Sequence, residues 1–257
     1  MGGTIPAVGR ELEKWGANVG WNEVVEKVTP YVVKIETPDG HGTGFLCLYN
    51  NDRSLCGIAT ANHVVEHASR WKQPIRILHF PSRTVRFLKE EDRYILGDAD
   101  NDSAVILFPP EDLGLPQSLI DLLPTDSQLP IGSDVGWLGF PAIGVNTLCF
   151  FSGNVSARED SQHSYLIDGV AINGVSGGPV VYSPPAHGVQ FVGTISAYRA
   201  NRATGETLPG LSVARDVSHF HQIASQVRSL DEAKAKAPAE IPSSTVAVEP
   251  ALAERPS

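Results

Sequence analysis

The residues with the clearest chemical use lie in the stretch Asn173-Gly174-Val175-Ser176-Gly177-Gly178-Pro179. It sets one serine, Ser176, among three glycines. A serine hydroxyl is a weak nucleophile until a neighbouring base removes its proton. Flanking glycines permit a tight turn and the close approach of a second molecule. They also let the N–H groups of Gly174 and Ser176 converge on one point, which is what a developing oxyanion requires. A glycine-rich hairpin turn is the plain alternative for such a string. The rest of the chain must therefore supply a base, and an acceptor to orient that base.

The chain has eight histidines. His63 stands out because it follows the apolar strand that ends in Thr60-Ala61-Asn62, and a strand end is where side chains converge on a cleft. His41 falls in a turn, His79 in a strand, His163 and His187 in loops, and His219 and His221 on a terminal helix, exposed or capping. Asp102 directly precedes the apolar run Ala104-Val105-Ile106-Leu107, a position that would hold a carboxylate fixed at a barrel seam. Asp98 and Asp100 are its rivals and read as solvated loop residues.

Short apolar segments separated by turn residues position these groups. Strands are expected at 31–36, 45–50, 55–61, 74–80, 84–89, 93–97, 104–107, 134–142, 147–159, 164–172, 179–183, 190–199 and 208–215. Residues 38–44 and 51–54 read as turns, and 110–130 as mostly loop. A helix is expected at Asn22–Val28, and a second at Val217–Leu230, where Phe220, Ile223, Val227 and Leu230 form one stripe. Many short strands without βαβ alternation indicate an all-β barrel or pair of barrels. Residues 1–21 read as an arm and 22–230 as the domain. The tail at 231–257 holds seven Ala and four Pro among 27 residues and no aromatic, a composition that predicts disorder.

At several points the chain resembles chymotrypsin-fold serine proteases of the HtrA/DegP-like branch. The matching runs are Gly42-Thr43-Gly44-Phe45, Thr60-Ala61-Asn62-His63-Val64-Val65, Asp102-Ser103-Ala104-Val105-Ile106, Gly153-Asn154-Val155-Ser156-Ala157 and Gly174-Val175-Ser176-Gly177-Gly178-Pro179. Residues 193–196 resemble the strand that edges the substrate cleft, and 209–214 the strand that floors the specificity pocket. The resemblance covers about residues 22–230. It implies two six-stranded antiparallel β-barrels with a C-terminal helix. It implies a catalytic triad of His63, Asp102 and Ser176, an oxyanion hole at Gly174 and Ser176, and Ser196 bonded to the aspartate. Val170, Ala171, Tyr198 and Gly210 would contact substrate. The residue before the serine is Val175 where trypsin-type zymogens carry Asp, and Val64 stands where digestive enzymes carry a half-cystine. The implied activity is peptide-bond hydrolysis; a catalytically silent module that binds peptides by strand addition is the second reading. The PDZ domain usual in the family is not recognisable, nor are the N-terminal contacts of its trimer.

Composition narrows the partners. Net charge is −9, which argues against nucleic acid, since phosphate contacts need a basic face. No apolar run approaches the length of a membrane span, and no secretory signal is recognisable, so the expected location is cytoplasmic. No cofactor or metal is expected. Cys47, Cys56 and Cys149 lack metal-like spacing; Cys47 and Cys56 could face each other across a hairpin, but free thiols are the expected state. The expected partner is a protein or peptide substrate.

Val170, Ala171 and Gly210 carry no charge, and an unpaired cation would be costly to desolvate there. Cleavage after small or medium apolar residues is therefore expected. Profiling on a peptide library checks this, and cleavage after Arg or Lys would refute the pocket assignment.

Overall fold

The computed structural model describes residues 20–144, 147–185, 187–200 and 207–236; for 198–200 and 207–209 only the backbone course is described. Thirteen strands and three α-helices organise these residues. The first half contains β1 (Val32–Thr37), β2 (Gly40–Tyr49), β3 (Cys56–Thr60), β4 (Ile75–His79), β5 (Thr84–Leu88), β6 (Tyr94–Asp98) and β7 (Ser103–Phe108). The second contains β8 (Asp134–Gly139), β9 (Cys149–Glu159), β10 (Ser164–Asp168), β11 (Pro179–Tyr182), β12 (Gln190–Ala200) and β13 (Thr207–Asp216). Helices α1 (Trp21–Val28), α2 (Asn62–Arg70) and α3 (Ser218–Lys236) complete the set.

The second half is a closed six-stranded barrel in the order β10-β13-β12-β11-β8-β9. The first half is a curled seven-stranded sheet, β5-β4-β1-β2-β3-β7-β6, whose end strands β5 and β6 do not pair. Its strand count and open edge are the departures from two equal barrels. The reason lies in the connection from β5 to β6. There Arg93 is buried, and its guanidinium donates to the backbone carbonyls of Leu88, Gln73 and Ala68. Ala68 O belongs to α2 and also accepts the Gln73 N–H, so Arg93 ties the end of that helix to the flanks of β4 and β5.

An aromatic cluster locks the halves together. Phe45 of β2 lies 4.6 Å from Phe191 of β12 and 5.9 Å from Phe220 of α3 (ring centroids). All three are fully buried. The connection at 109–133 is pinned as well: Leu123 N–H donates to Phe191 O, and Phe191 N–H to Asp121 O.

Other elements differ from expectation. The stretch 40–44, read as part of a turn, is the start of β2, paired with β1 from Thr37↔Gly40 onward. Helix α3 runs six residues past Leu230, the short extension to about Ala237 that the sequence allows before the tail. Those residues, DEAKAK, are mostly strong helix formers, and the Asp231 carboxylate accepts the Asn51 N–H of the β2–β3 turn. The arm at 1–19 and the tail at 237–257 lie outside the described residues. All three cysteines are free thiols. Burial pushes the Cys56 thiol up to about 12 and the Cys47 thiol higher still.

Replacing Arg93 by Met removes the guanidinium from Leu88 O and Gln73 O, while Ala68 O keeps the Gln73 N–H. It is expected to lower the unfolding free energy by about 3 kcal/mol. Urea unfolding measures this, and an unchanged midpoint would mean that Arg93 does not close the seam.

Candidate active site

Strand β3 delivers the chain to Ala61, the cap of α2, so His63 sits in the first turn of a helix. Its backbone N–H is among those that a helix leaves unpartnered. That N–H donates to Asp102 Oδ1 at 2.9 Å, so one carboxylate both caps α2 and meets the ring. His63 Nδ1 lies 3.0 Å from Oδ1 and 2.9 Å from Oδ2 of Asp102. An ionised carboxylate only accepts, so Nδ1 carries the proton and Nε2 is left as a free base site.

Asp102 stands on the tight turn between β6 and β7 with φ +45°, a left-handed conformation that Asp tolerates better than most residues. Asp98 braces that turn. Its carboxylate accepts the Asn101 backbone N–H at 3.0 Å and the Asn101 side-chain amide at 2.7 Å. His219 Nδ1 lies 4.0 Å away. Asp98 is therefore not a merely solvated residue, and it does not compete with Asp102 for His63. From the opposite barrel, Ser196 Oγ donates to Asp102 Oδ2 at 2.5 Å. Burial pushes the Asp102 carboxyl up. The hydrogen bonds from His63 and Ser196, with the attraction of His63, outweigh it and hold the group below its ordinary value.

Ser176 lies on the loop between β10 and β11, facing the same cleft as His63. Its hydroxyl has no hydrogen-bond partner among the described residues. Catalytic hydrogen bonds are often long in unliganded sites. Gly177 has φ +83°, and a Cβ there would stand 2.0 Å from Thr43 O, so only glycine fits. Asn173 O accepts the Ala142 N–H, Val175 N–H donates to Ile172 O, and Gly177 N–H to Ile195 O. The N–H groups of Gly174 and Ser176 find no acceptor among the described residues. Val175 is fully buried and packs on Gly139.

His63 and Ser176 border two adjoining clefts. One, of about 280 Å³, has Ala171, Ile172, Ile195 and Ala197 as its apolar wall, with Asn173 and Ser196. The other, of about 240 Å³, includes His41, His67 and Asp39. Of the expected substrate contacts, Ala171 and Ser196 line the first cleft. Val170 is half exposed outside that lining. Gly210, at φ +74°, supports the loop instead, its carbonyl accepting the Gly169 N–H. Asp168 brings an unforeseen carboxylate near Gly210: Oδ1 lies 3.5 Å from where a Cβ would stand. The side chain of Tyr198 lies outside the described residues. Ile195 lies in the stretch 193–196 expected to edge the cleft, whereas Ile172 and Ala197 went unread, although they directly flank Asn173 and Ser196 in sequence.

The remaining histidines have other work. His41 is in β2, not a turn. His79 is buried between Ser82 Oγ and Pro30 O, and burial lowers its basicity. His219 and His221 are partly buried and reach Leu96 O and Leu123 O across the fold, rather than standing exposed. Among the described residues, no group of three or more His, Cys, Asp or Glu is placed to hold a metal ion.

No protein-family model matches the chain, and no curated protein matches its sequence. Solved structures do. A serine endoprotease from Yersinia pestis superposes with a TM-score of 0.59 at 18% identity, over 81% of this chain and 66% of that one. Deg5 gives a TM-score of 0.57 at 21% identity, over 78% of this chain and 90% of its own. The Rv3671c protease from M. tuberculosis, in an inactive form, gives 0.54 at 20% identity, over 85% and 93%. The chain shares the chymotrypsin-type fold of these serine proteases, and it spans about two thirds of the Yersinia protein's length.

The depressed carboxyl of Asp102 has a consequence for stability. Its ionised form favours the folded chain fully above the ordinary value of 3.8, and that contribution is lost as pH falls through the lower folded value. Asp102→Asn is expected to flatten the fall of stability below about pH 4. Urea unfolding across that range is the measurement, and an unchanged slope would contradict the assignment.

Proposed function

We propose that the chain is a serine endopeptidase. The observation that carries the reading is the hydrogen-bonded run from Ser196 through Asp102 to His63, ending at a cleft shared with Ser176, beside two N–H groups without acceptors among the described residues. The likeness to solved serine proteases raises the expectation by analogy of fold.

In this reading Ser176 Oγ attacks the carbonyl carbon of a scissile peptide as His63 Nε2 takes the hydroxyl proton. The carbonyl electrons move onto oxygen, which the N–H groups of Gly174 and Ser176 stabilise. His63 then gives its proton to the leaving amine, and the C–N bond breaks to leave an acyl-enzyme. A water, deprotonated by the same nitrogen, attacks the ester carbonyl; His63 then passes that proton to Ser176 Oγ as the ester C–O bond breaks and the carboxylic acid product leaves. Asp102 remains ionised, orients the ring and stabilises the imidazolium, and Ser196 holds Asp102. The wall of Ala171, Ile172, Ile195 and Ala197 favours a small or medium apolar side chain before the cleaved bond.

A peptide-binding module without turnover is the second reading, favoured by one observation: Ser176 Oγ makes no hydrogen bond to His63. A fluorophosphonate probe separates the two. It should label the wild-type chain at Ser176 and leave His63→Ala unlabelled, while Ser176→Ala should lower peptide hydrolysis by about 10⁶-fold. A folded wild-type chain that takes no label would sink the peptidase reading.

A further inference from the structure

We infer that Thr43 is a positioning residue for the oxyanion site, a role its side-chain hydroxyl performs from the opposite barrel. The inference rests on the peptidase reading above.

A trans peptide is planar, with its C=O and N–H pointing in opposite directions. Fixing a carbonyl therefore fixes where the N–H of the same peptide points. The peptide joining Asn173 to Gly174 is held by Ala142 N–H on its carbonyl at 2.7 Å, and the peptide joining Val175 to Ser176 by Gly178 N–H at 2.9 Å. Each of these turns its free N–H away from its bonded carbonyl. The peptide between them, Gly174 to Val175, sets their mutual angle. Its N–H donates to Ile172 O at 3.0 Å, and its carbonyl accepts the Thr43 hydroxyl at 2.9 Å.

That hydroxyl is fully committed. It also accepts the Phe140 N–H at 3.0 Å, and Thr43 is wholly buried. The Thr43 backbone holds the next peptide too, its N–H donating to Ser176 O at 2.8 Å. Thr60 Oγ1 in turn donates to Thr43 O at 2.7 Å, tying the clamp to the strand that leads to His63. Two facts make a clamp necessary. Gly174 has φ +92° and, lacking a Cβ, turns over at little cost. Val175 offers only apolar packing, which is non-directional and cannot choose between peptide orientations. The choice falls to hydrogen bonds, and the Thr43 hydroxyl supplies the one on the Gly174 carbonyl from outside the loop's own half.

The test compares Thr43→Val, nearly isosteric but without the hydroxyl, with Thr43→Ser, which keeps it. Thr43→Val is expected to lower kcat by about 100-fold, the scale of a small misplacement of catalytic groups, with KM within about twofold. The affinity of a peptide aldehyde, whose adduct places an oxyanion in the site, should fall in parallel with kcat/KM. Thr43→Ser should restore both to within a few-fold of wild type. A folded Thr43→Val with wild-type kcat and aldehyde affinity overturns the inference, as does a Thr43→Ser as damaged as the valine variant. If the valine variant does not fold, Thr43→Ala, which leaves room for a water, decides by the same readouts. A wild-type chain that neither cleaves peptides nor takes the fluorophosphonate label overturns the peptidase reading itself, and the inference with it.

Discussion

Asp102 and Ser196 belong to different halves of the molecule, and a 2.5 Å bond between them requires that the halves dock without play. The same holds for His63 and Ser176, which meet only at the seam. Docking rests on Phe45, Phe191 and Phe220, one ring from each sheet and one from α3, packed at centroid distances between 4.6 and 5.9 Å. Buried rings at such distances contribute about 0.5–1.5 kcal/mol per pair beyond the area they bury, and their shape resists sliding. His63 and Ser176 border the cleft, and an apolar joint behind it sets the tolerances.

Within that joint the carboxylate is held under mild strain. A non-glycine residue at φ +45° costs about 1–2 kcal/mol. The turn keeps it because Asp98 captures Asn101 by backbone and side chain, and because Asp102 itself receives His63 N–H, His63 Nδ1–H and Ser196 O–H. Charge, turn and helix cap are thus one construction. Moving any part would leave a buried acceptor or a helix N–H without its partner.

Much of this was legible in the residues. Strand positions followed from apolar runs between turn residues, and the strand ends at Thr60 and before Ala104 marked where His63 and Asp102 would stand. The unread parts share a cause: they depend on contacts between segments far apart in sequence. Glycines at 40, 42 and 44 look like a turn, yet pairing with β1 and the packing of Val64 against Gly42 make them strand. Asp98 looks like any loop carboxylate until Asn101 is placed against it. Ala171 and Ile195 stand in the cleft wall as the resemblance implies, but Ile172 and Ala197 share that wall and their apolar character read simply as strand. Residue 231 onward has the composition of a tail, its first residues could extend the helix, and the contact of Asp231 with the β2–β3 turn holds that extension in place.

The bond from Thr43 to Gly174 joins residues 131 positions apart. Closing so long a segment is entropically unfavourable until both sheets exist, so it belongs to the late stages of folding. A nascent chain that has made only its first half holds an imidazole and a carboxylate but no serine. A chain complete in length but not yet docked holds the serine on a loop free to turn its amides either way. Assembly of the candidate site is thereby coupled to the completion of tertiary structure. Folding itself sets when His63, held by Asp102, comes to share one cleft with Ser176.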